Sequence, residues 1–130
     1  MDLSMFTNLN GRIGRQQWWL GVIALMVVEW IIIFVLTMLF GQPMPVDGAG
    51  EFGYSSSLSP VGSIIVIIIL LPFIWFFICL YAKRWHDRGK SGWWTLISLV
   101  PVIGLIWIIV ELGILKGTEG PNQYGPDPLA

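Results

Sequence analysis

Charge is scarce in this sequence: only 12% of its 130 residues are Asp, Glu, Lys or Arg, against 55% that are apolar. A water-soluble domain of this size needs more polar cover, so lipid must solvate the chain. The mean hydropathy of +0.75 agrees. Cysteine is nearly missing as well, and the one thiol, Cys79, lies inside an apolar run with no partner in the chain. That excludes a disulfide framework, and no metal cluster is expected. There is one histidine, and the stretch 41–60 has no Lys or Arg. The net charge of −1 combines scattered acids with clustered bases, which gives no ground for a nucleic-acid partner.

What fills the chain instead is three long apolar runs. Residues 18–40 hold one charge, Glu29, in 23 residues. At ~1.5 Å of rise per residue a helix of that length crosses a hydrocarbon core of ~30 Å. The run is longer than a signal peptide's and leads into Gly41-Gln42-Pro43-Met44-Pro45 rather than a cleavage site, so it reads as a retained anchor. Residues 61–82 are dense in Ile, Leu, Phe and Val, which in water would suggest a strand. In lipid a lone strand leaves its backbone unpaired, so a helix is expected, kinked where Pro72 removes the bond to the Ile68 carbonyl. Residues 93–115 make a third run long enough to cross. Pro101-Val102-Ile103-Gly104 within it offers a re-entrant hairpin as the alternative, disfavoured because lipid-exposed breaks are costly.

The expected fold is therefore an all-α integral membrane protein, one domain over 1–130 with three transmembrane helices. A juxtamembrane collar covers 1–17, spans cover 18–40, 61–82 and 93–115, and an irregular external loop covers 41–60. A basic, aromatic hinge covers 83–92, and a Gly- and Pro-rich tail covers 116–130. With three spans the collar and hinge share one side, and the loop and tail the other. Lys and Arg then divide six to one, and the positive-inside rule puts collar and hinge in the cytoplasm and the tail outside. Trp18, Trp19, Trp85, Trp93 and Trp94 fall at the same interface, as an aromatic belt would. In the collar, Phe6, Leu9 and Ile13 are spaced to line one face of a short interfacial helix, and an irregular tail anchored by its arginines fits equally well.

Four motifs stand in order along the chain: Gly11-Arg12-Ile13-Gly14-Arg15-Gln16-Gln17-Trp18-Trp19, then Lys83-Arg84-Trp85-His86-Asp87 with Ser91-Gly92-Trp93-Trp94, then Pro101-Val102-Ile103-Gly104, then Gly120-Pro121-Asn122-Gln123-Tyr124-Gly125-Pro126-Asp127-Pro128. Together they resemble the DUF805 family, the YhaH-type small bacterial inner-membrane proteins, over nearly the whole chain. The resemblance implies a small multi-pass protein of the bacterial inner membrane and supplies no activity. The family usually reads Arg-Arg-Leu-His-Asp at the hinge. Lys83 and Trp85 depart from that, and a lysine cannot make an arginine's bidentate contacts.

Arg12, Arg15, Arg84, His86, Arg88 and Lys90 are the candidate headgroup or anion ligands, with exposed backbone N–H groups near Gly89 and Gly92 as further donors. The plainer reading is orientation and anchoring, since each base near an anionic leaflet contributes ~1 kcal/mol without any built pocket. Gly89-Lys90-Ser91 looks like the end of a phosphate-binding loop, but Arg84 stands where that motif needs glycine and no strand precedes it. His86 and Asp87 are neighbours that do not meet on a helix, so they imply no acid–base dyad. Glu29 lies at its span's midpoint, where it must be neutral or paired. It is expected either to bond the freed Ile68 carbonyl or to relay protons or cations within an oligomer. Glu111 is expected ~10 Å from its span's midpoint toward the outer face, within reach of water. The Gly113 to Gly117 spacing is a weak dimer motif at a span's end, and Asn122, Tyr124 and Asp127 suit a turn in the tail. No catalytic set, metal or cofactor is expected. The functional expectation is a non-enzymatic scaffold or lipid-associated accessory protein, partnered by membrane lipids, including anionic headgroups, and by a second copy or another membrane protein. The alternative is an oligomeric transporter or channel subunit using Glu29.

Overall fold

The computed structural model describes residues 3–45 and 54–129, the side chains of 42–45 and 54–57 excepted. The chain folds as two compact units, Met26–Phe73 and the combination of Met1–Leu25 with Ile74–Ala130. Two long apolar helices, α2 (Arg15–Phe40) and α3 (Pro60–Asp87), have the length and composition to cross a membrane. Residues Trp18, Val22, Leu25 and Leu36 are buried along α2. With Glu29 and Ile32 they form a seam at alternating steps of four and three, the spacing of a helix that packs along one face.

In the unit Met26–Phe73, Ser59 caps α3 by accepting the Gly62 N–H at 3.1 Å, and Pro60 occupies the first helical position, where no N–H is needed. Gly62 lets the start of α3 lie against Phe40, since an added Cβ would stand 2.6 Å from the Phe40 Cβ. Between the helices, β1 (Gly41–Pro45) and β2 (Tyr54–Leu58) pair antiparallel, from Gly41 opposite Leu58 to Pro45 opposite Tyr54. The expected irregular loop thus begins and ends as a short ribbon. Pro43 and Pro45 are tolerated because both strands are edges.

In the other unit the collar forms one turn, α1 (Ser4–Thr7), with Met5 buried and Phe6 edge-on to Phe76 at 6.4 Å. Ile13 is buried, whereas Leu9 stays exposed. Helix α3 does not stop at Ala82 but carries Lys83 to Asp87 of the hinge as a further turn beyond the apolar run. It ends at Gly89, with φ of 76°. There the Gly89 N–H donates to the His86 carbonyl and the Lys90 N–H to the Trp85 carbonyl, each at 2.9 Å. This is a Schellman ending, which needs a residue free to adopt positive φ. Trp18 and Trp85 belong to the core rather than to an interfacial belt, Trp85 being 0% exposed.

The expected fold class holds: the architecture is helical, with two span-length helices and a third, shorter apolar helix. The third run is broken, however, into a 3-10 helix (Gly92–Leu99), then α4 (Ile103–Ile108), which passes directly into a π-helical turn and a half (Ile109–Ile114). The break follows from Pro101, which forces Val100 into an extended conformation and has no N–H to donate. Val102 then turns the chain at φ 63° and ψ −61°, with the Ile103 N–H bonded to the Pro101 carbonyl at 2.7 Å. This is a tight γ-turn, strained for a β-branched residue. The two legs pack together through Gly104 against the Ile97 backbone and through stacked Trp94 and Trp107, 6.4 Å apart.

Both ends of this run meet the last turns of α3. Gly92 packs on Ala82, and Gly117 lies against the Asp87 carboxylate. Its legs of eight and twelve residues correspond to ~16 and ~18 Å of rise, about half of a ~30 Å hydrocarbon core. The tail is bonded to the hinge: Asn122 Nδ2 donates to the His86 carbonyl at 2.9 Å and Arg88 Nη1 donates to the Lys116 carbonyl.

Candidate functional site

The basic residues of the collar and hinge converge on the end of the returning leg. A helix leaves its last carbonyls without intrahelical partners, and those carbonyls carry partial negative charge. Here five consecutive ones are met by side chains. Arg84 Nε donates to Leu112 O at 2.7 Å, Trp19 Nε1 to Gly113 O at 3.0 Å, Arg15 Nη1 to Ile114 O at 2.8 Å and Arg84 Nη2 to Leu115 O at 2.7 Å. Arg88 Nη1 donates to Lys116 O. The start of α2 and the end of α3 together clamp one backbone segment.

Asp87 sits at the centre of this clamp. One of its oxygens accepts from Arg12 Nε and Nη2 at 3.1 and 2.9 Å, and the other accepts from Arg84. The side chains are essentially closed to solvent, Arg12 at 1%, Arg84 at 0% and Asp87 at 5% exposure. Two guanidiniums on one carboxylate leave an excess positive charge, which backbone carbonyls offset. Arg12 also donates to Thr118 O, Gly120 O and Gly125 O at 2.6, 2.7 and 3.2 Å. These carbonyls belong to the tail, where Asn122 and Gly125 bridge and Asn122 Oδ1 accepts the Tyr124 N–H at 2.8 Å. The Asp127 carboxylate accepts the N–H groups of Leu129 and Gly120, which hold it below the ordinary carboxylate range. Its contribution is thus complete above the unfolded value near ~3.9 and lost as pH falls through the lower folded one. The expected tail turn is present.

Glu111 is paired with the hinge. It accepts from Arg88 Nε at 3.0 Å and from Lys90 Nζ at 2.8 Å, tying the returning leg to the hinge. These partners are partly exposed, so the pairs contribute only ~0–1 kcal/mol each. Lys90 also lies over Trp94, 4.9 Å from the ring centre. His86 stacks flat on Tyr124 at 4.1 Å and bonds the Gly11 carbonyl through Nδ1 at 3.1 Å, with no bond to Asp87. Lys83 reaches the Ser4 carbonyl. Glu29 belongs to the other unit, half-buried on α2. Among the described residues it carries no hydrogen bond or ion pair, and the bond to the Ile68 carbonyl is not formed.

Of the six candidate anion ligands, Arg12 and Arg84 are turned inward and bonded to internal acceptors at every side-chain nitrogen. Arg15, Arg88 and Lys90 keep partial exposure but are engaged, and His86 is half-buried. The sequence reading missed the acceptors, namely Asp87 as a shared buried counter-ion and the carbonyls of 112–125. Asp87 was visible only as an acid amid bases, and the carbonyls carry no residue signal at all. Among the described residues no group of three or more His, Cys, Asp or Glu is placed to hold a metal ion.

A family model described as a protein of unknown function, DUF805, matches residues 6–126. The chain is similar to "Inner membrane protein YhaH" of Escherichia coli strain K12, 31% identical over 126 residues, covering 97% of this chain and 91% of that protein. It is also similar to "Inner membrane protein YhaI" of the same strain, 28% identical over 126 residues and covering 97% and 90%. A third relative, "Uncharacterized protein YiiR", is 25% identical over 144 residues, covering 92% and 85%. No solved structure matches.

Proposed function

The chain belongs to the DUF805 family and, like the YhaH and YhaI proteins it resembles, is an inner-membrane protein; from that premise we propose that it is a non-enzymatic, lipid-associated scaffold whose third apolar run is seated in the cytoplasmic leaflet. The observation that carries this reading is the clamp on carbonyls 112–116, which holds the end of the returning leg beside the hinge. With the tail at the hinge, all seven Lys and Arg gather at one end of the two spans while the loop 41–60 has none. Positive-inside sorting then favours the cytoplasm for both termini. Around the turn Leu99, Val102 and Ile103 are 77%, 71% and 62% exposed, an apolar tip suited to acyl chains.

Replacing Leu99, Val102 and Ile103 together with Asn tests this. Each such side chain contributes ~1.5–3 kcal/mol on moving from water to an apolar medium, so the hairpin should lose most of its hold on the leaflet. The expected result is fewer phospholipids retained in native mass spectrometry and new protease cleavage within 93–110. Unchanged retention together with unchanged cleavage would contradict the reading.

Glu29 favours a second reading, an oligomeric channel or transporter subunit, because an unpaired carboxyl on a mid-span seam is the kind of group that relays protons. Glu29→Gln is expected to leave melting unchanged, and abolition of a proton or cation flux in proteoliposomes would establish the relay. Absence of any Glu29-dependent flux would remove it.

A further inference from the structure

A cleft of about 310 Å³ opens beside the last turns of α3, walled by Leu9, Ile78, Ala82 and Trp93, with His86 and Ser91 at its polar end. The hydrogen-bonding polarity of that end is fixed. A backbone carbonyl only accepts, so the 3.1 Å contact between His86 Nδ1 and Gly11 O places the imidazole proton on Nδ1. Burial pushes the His86 pKa below its ordinary value, the Gly11 bond opposes this and the charge of Lys83 reinforces it, which favours the neutral ring. Nε2 therefore carries a lone pair. It faces Gly92, where an added Cβ would stand 3.7 Å away, and no described residue bonds it. The flat stack on Tyr124 and the Asn122 Nδ2 bond to the His86 carbonyl at 2.9 Å hold the ring in place.

Ser91 supplies the complement. Its Oγ accepts the Trp93 N–H at 3.3 Å, and its own O–H, which bonds no described residue, is available to a ligand in the cleft that Ser91 lines. One acceptor and one donor lining the same cleft suit a hydroxyl, which is both, whereas a phosphate oxygen would face the Nε2 lone pair. From Ile78 to His86 the helix rises ~12 Å, so the cleft leads from the hinge down the apolar side of α3.

We infer that this cleft binds an acyl-chain amphiphile bearing a free alcohol, whose hydroxyl donates to His86 Nε2 and accepts from Ser91 Oγ while its chain lies along Ile78 and Trp93. The inference rests on the reading that this end of the protein sits at the leaflet surface. The test offers the purified full-length protein 1,2-dioleoylglycerol and the dioleate of 1,2-propanediol, which lacks only the hydroxyl, in native mass spectrometry.

The alcohol is expected to be retained about tenfold over its deoxy analogue. Ser91→Ala should erase most of that preference, and Leu9→Trp, which fills the cleft from an exposed collar position, should lower retention of both probes. Excess free glycerol should displace neither. Equal retention of the two probes, displacement by glycerol, or stronger retention of dioleoylphosphatidic acid than of dioleoylglycerol would overturn the alcohol site. Any of these would leave the leaflet-seated hairpin standing, because that reading fails separately, if the Leu99, Val102 and Ile103 replacements change nothing.

Discussion

Asp87→Ala is expected to lower the melting temperature of the detergent-solubilised protein by about 10 °C or more, the largest effect of any single substitution here. The carboxylate is the shared counter-ion of Arg12 and Arg84, both closed to solvent. Removing one member of a buried ion cluster costs ~3–5 kcal/mol, because the partner charges are left uncompensated rather than because the pair itself was strongly stabilising. At a few degrees per kcal/mol that cost gives the stated shift. Two guanidiniums would be stranded at once, and both also clamp the returning leg and the tail, so those segments should become protease-sensitive together. Asp87→Asn keeps the shape and one acceptor and should lose about half as much. A melting temperature unchanged by Asp87→Ala would show that the clamp does not hold this unit together.

Gly104→Ala is expected to open the hairpin. An added Cβ at Gly104 would overlap the carbonyl of Ile97 on the facing leg, and a backbone group cannot move aside as a flexible side chain can. Forced overpacking of this kind costs ~1–3 kcal/mol, and the adjacent γ-turn at Val102 is already strained. The cost should fall on the local packing of Trp94 and Trp107 rather than on α2 and α3. The measurable consequence is a change in tryptophan fluorescence with helical content kept. Retention of the wild-type spectrum would mean that the legs do not touch at Gly104.

How much of this was legible in the sequence depends on which physical signal each part emits. The two long helices follow from long, predominantly apolar length, which lipid converts into helix almost without regard to side-chain detail. The basic cluster is legible in the sequence, but its partners are not. Arg15, Arg84 and Arg88 are spent on main-chain carbonyls, which every residue possesses and no pattern reveals. The break in the third run was legible at Pro101, yet the cost of a lipid-exposed break argued against it. The cost is reduced because proline has no N–H to leave unpaired and the N–H groups of Ile103 and Gly104 find the carbonyls of Pro101 and Val100 at 2.7 and 2.9 Å. Glu111 follows the same logic: once the leg turns back, its rise from the midpoint leads toward Arg88 and Lys90.

The most direct measurement places single cysteines at Ser91 and at Glu119, one on each side of the third apolar run, in a Cys79→Ser background. A thiol reagent that cannot cross membranes is applied to intact spheroplasts and to inverted vesicles. Both positions are expected to label in inverted vesicles and to stay protected in spheroplasts. Labelling of the two from opposite faces would mean that the run crosses the bilayer, and the leaflet-seated hairpin would have to be abandoned.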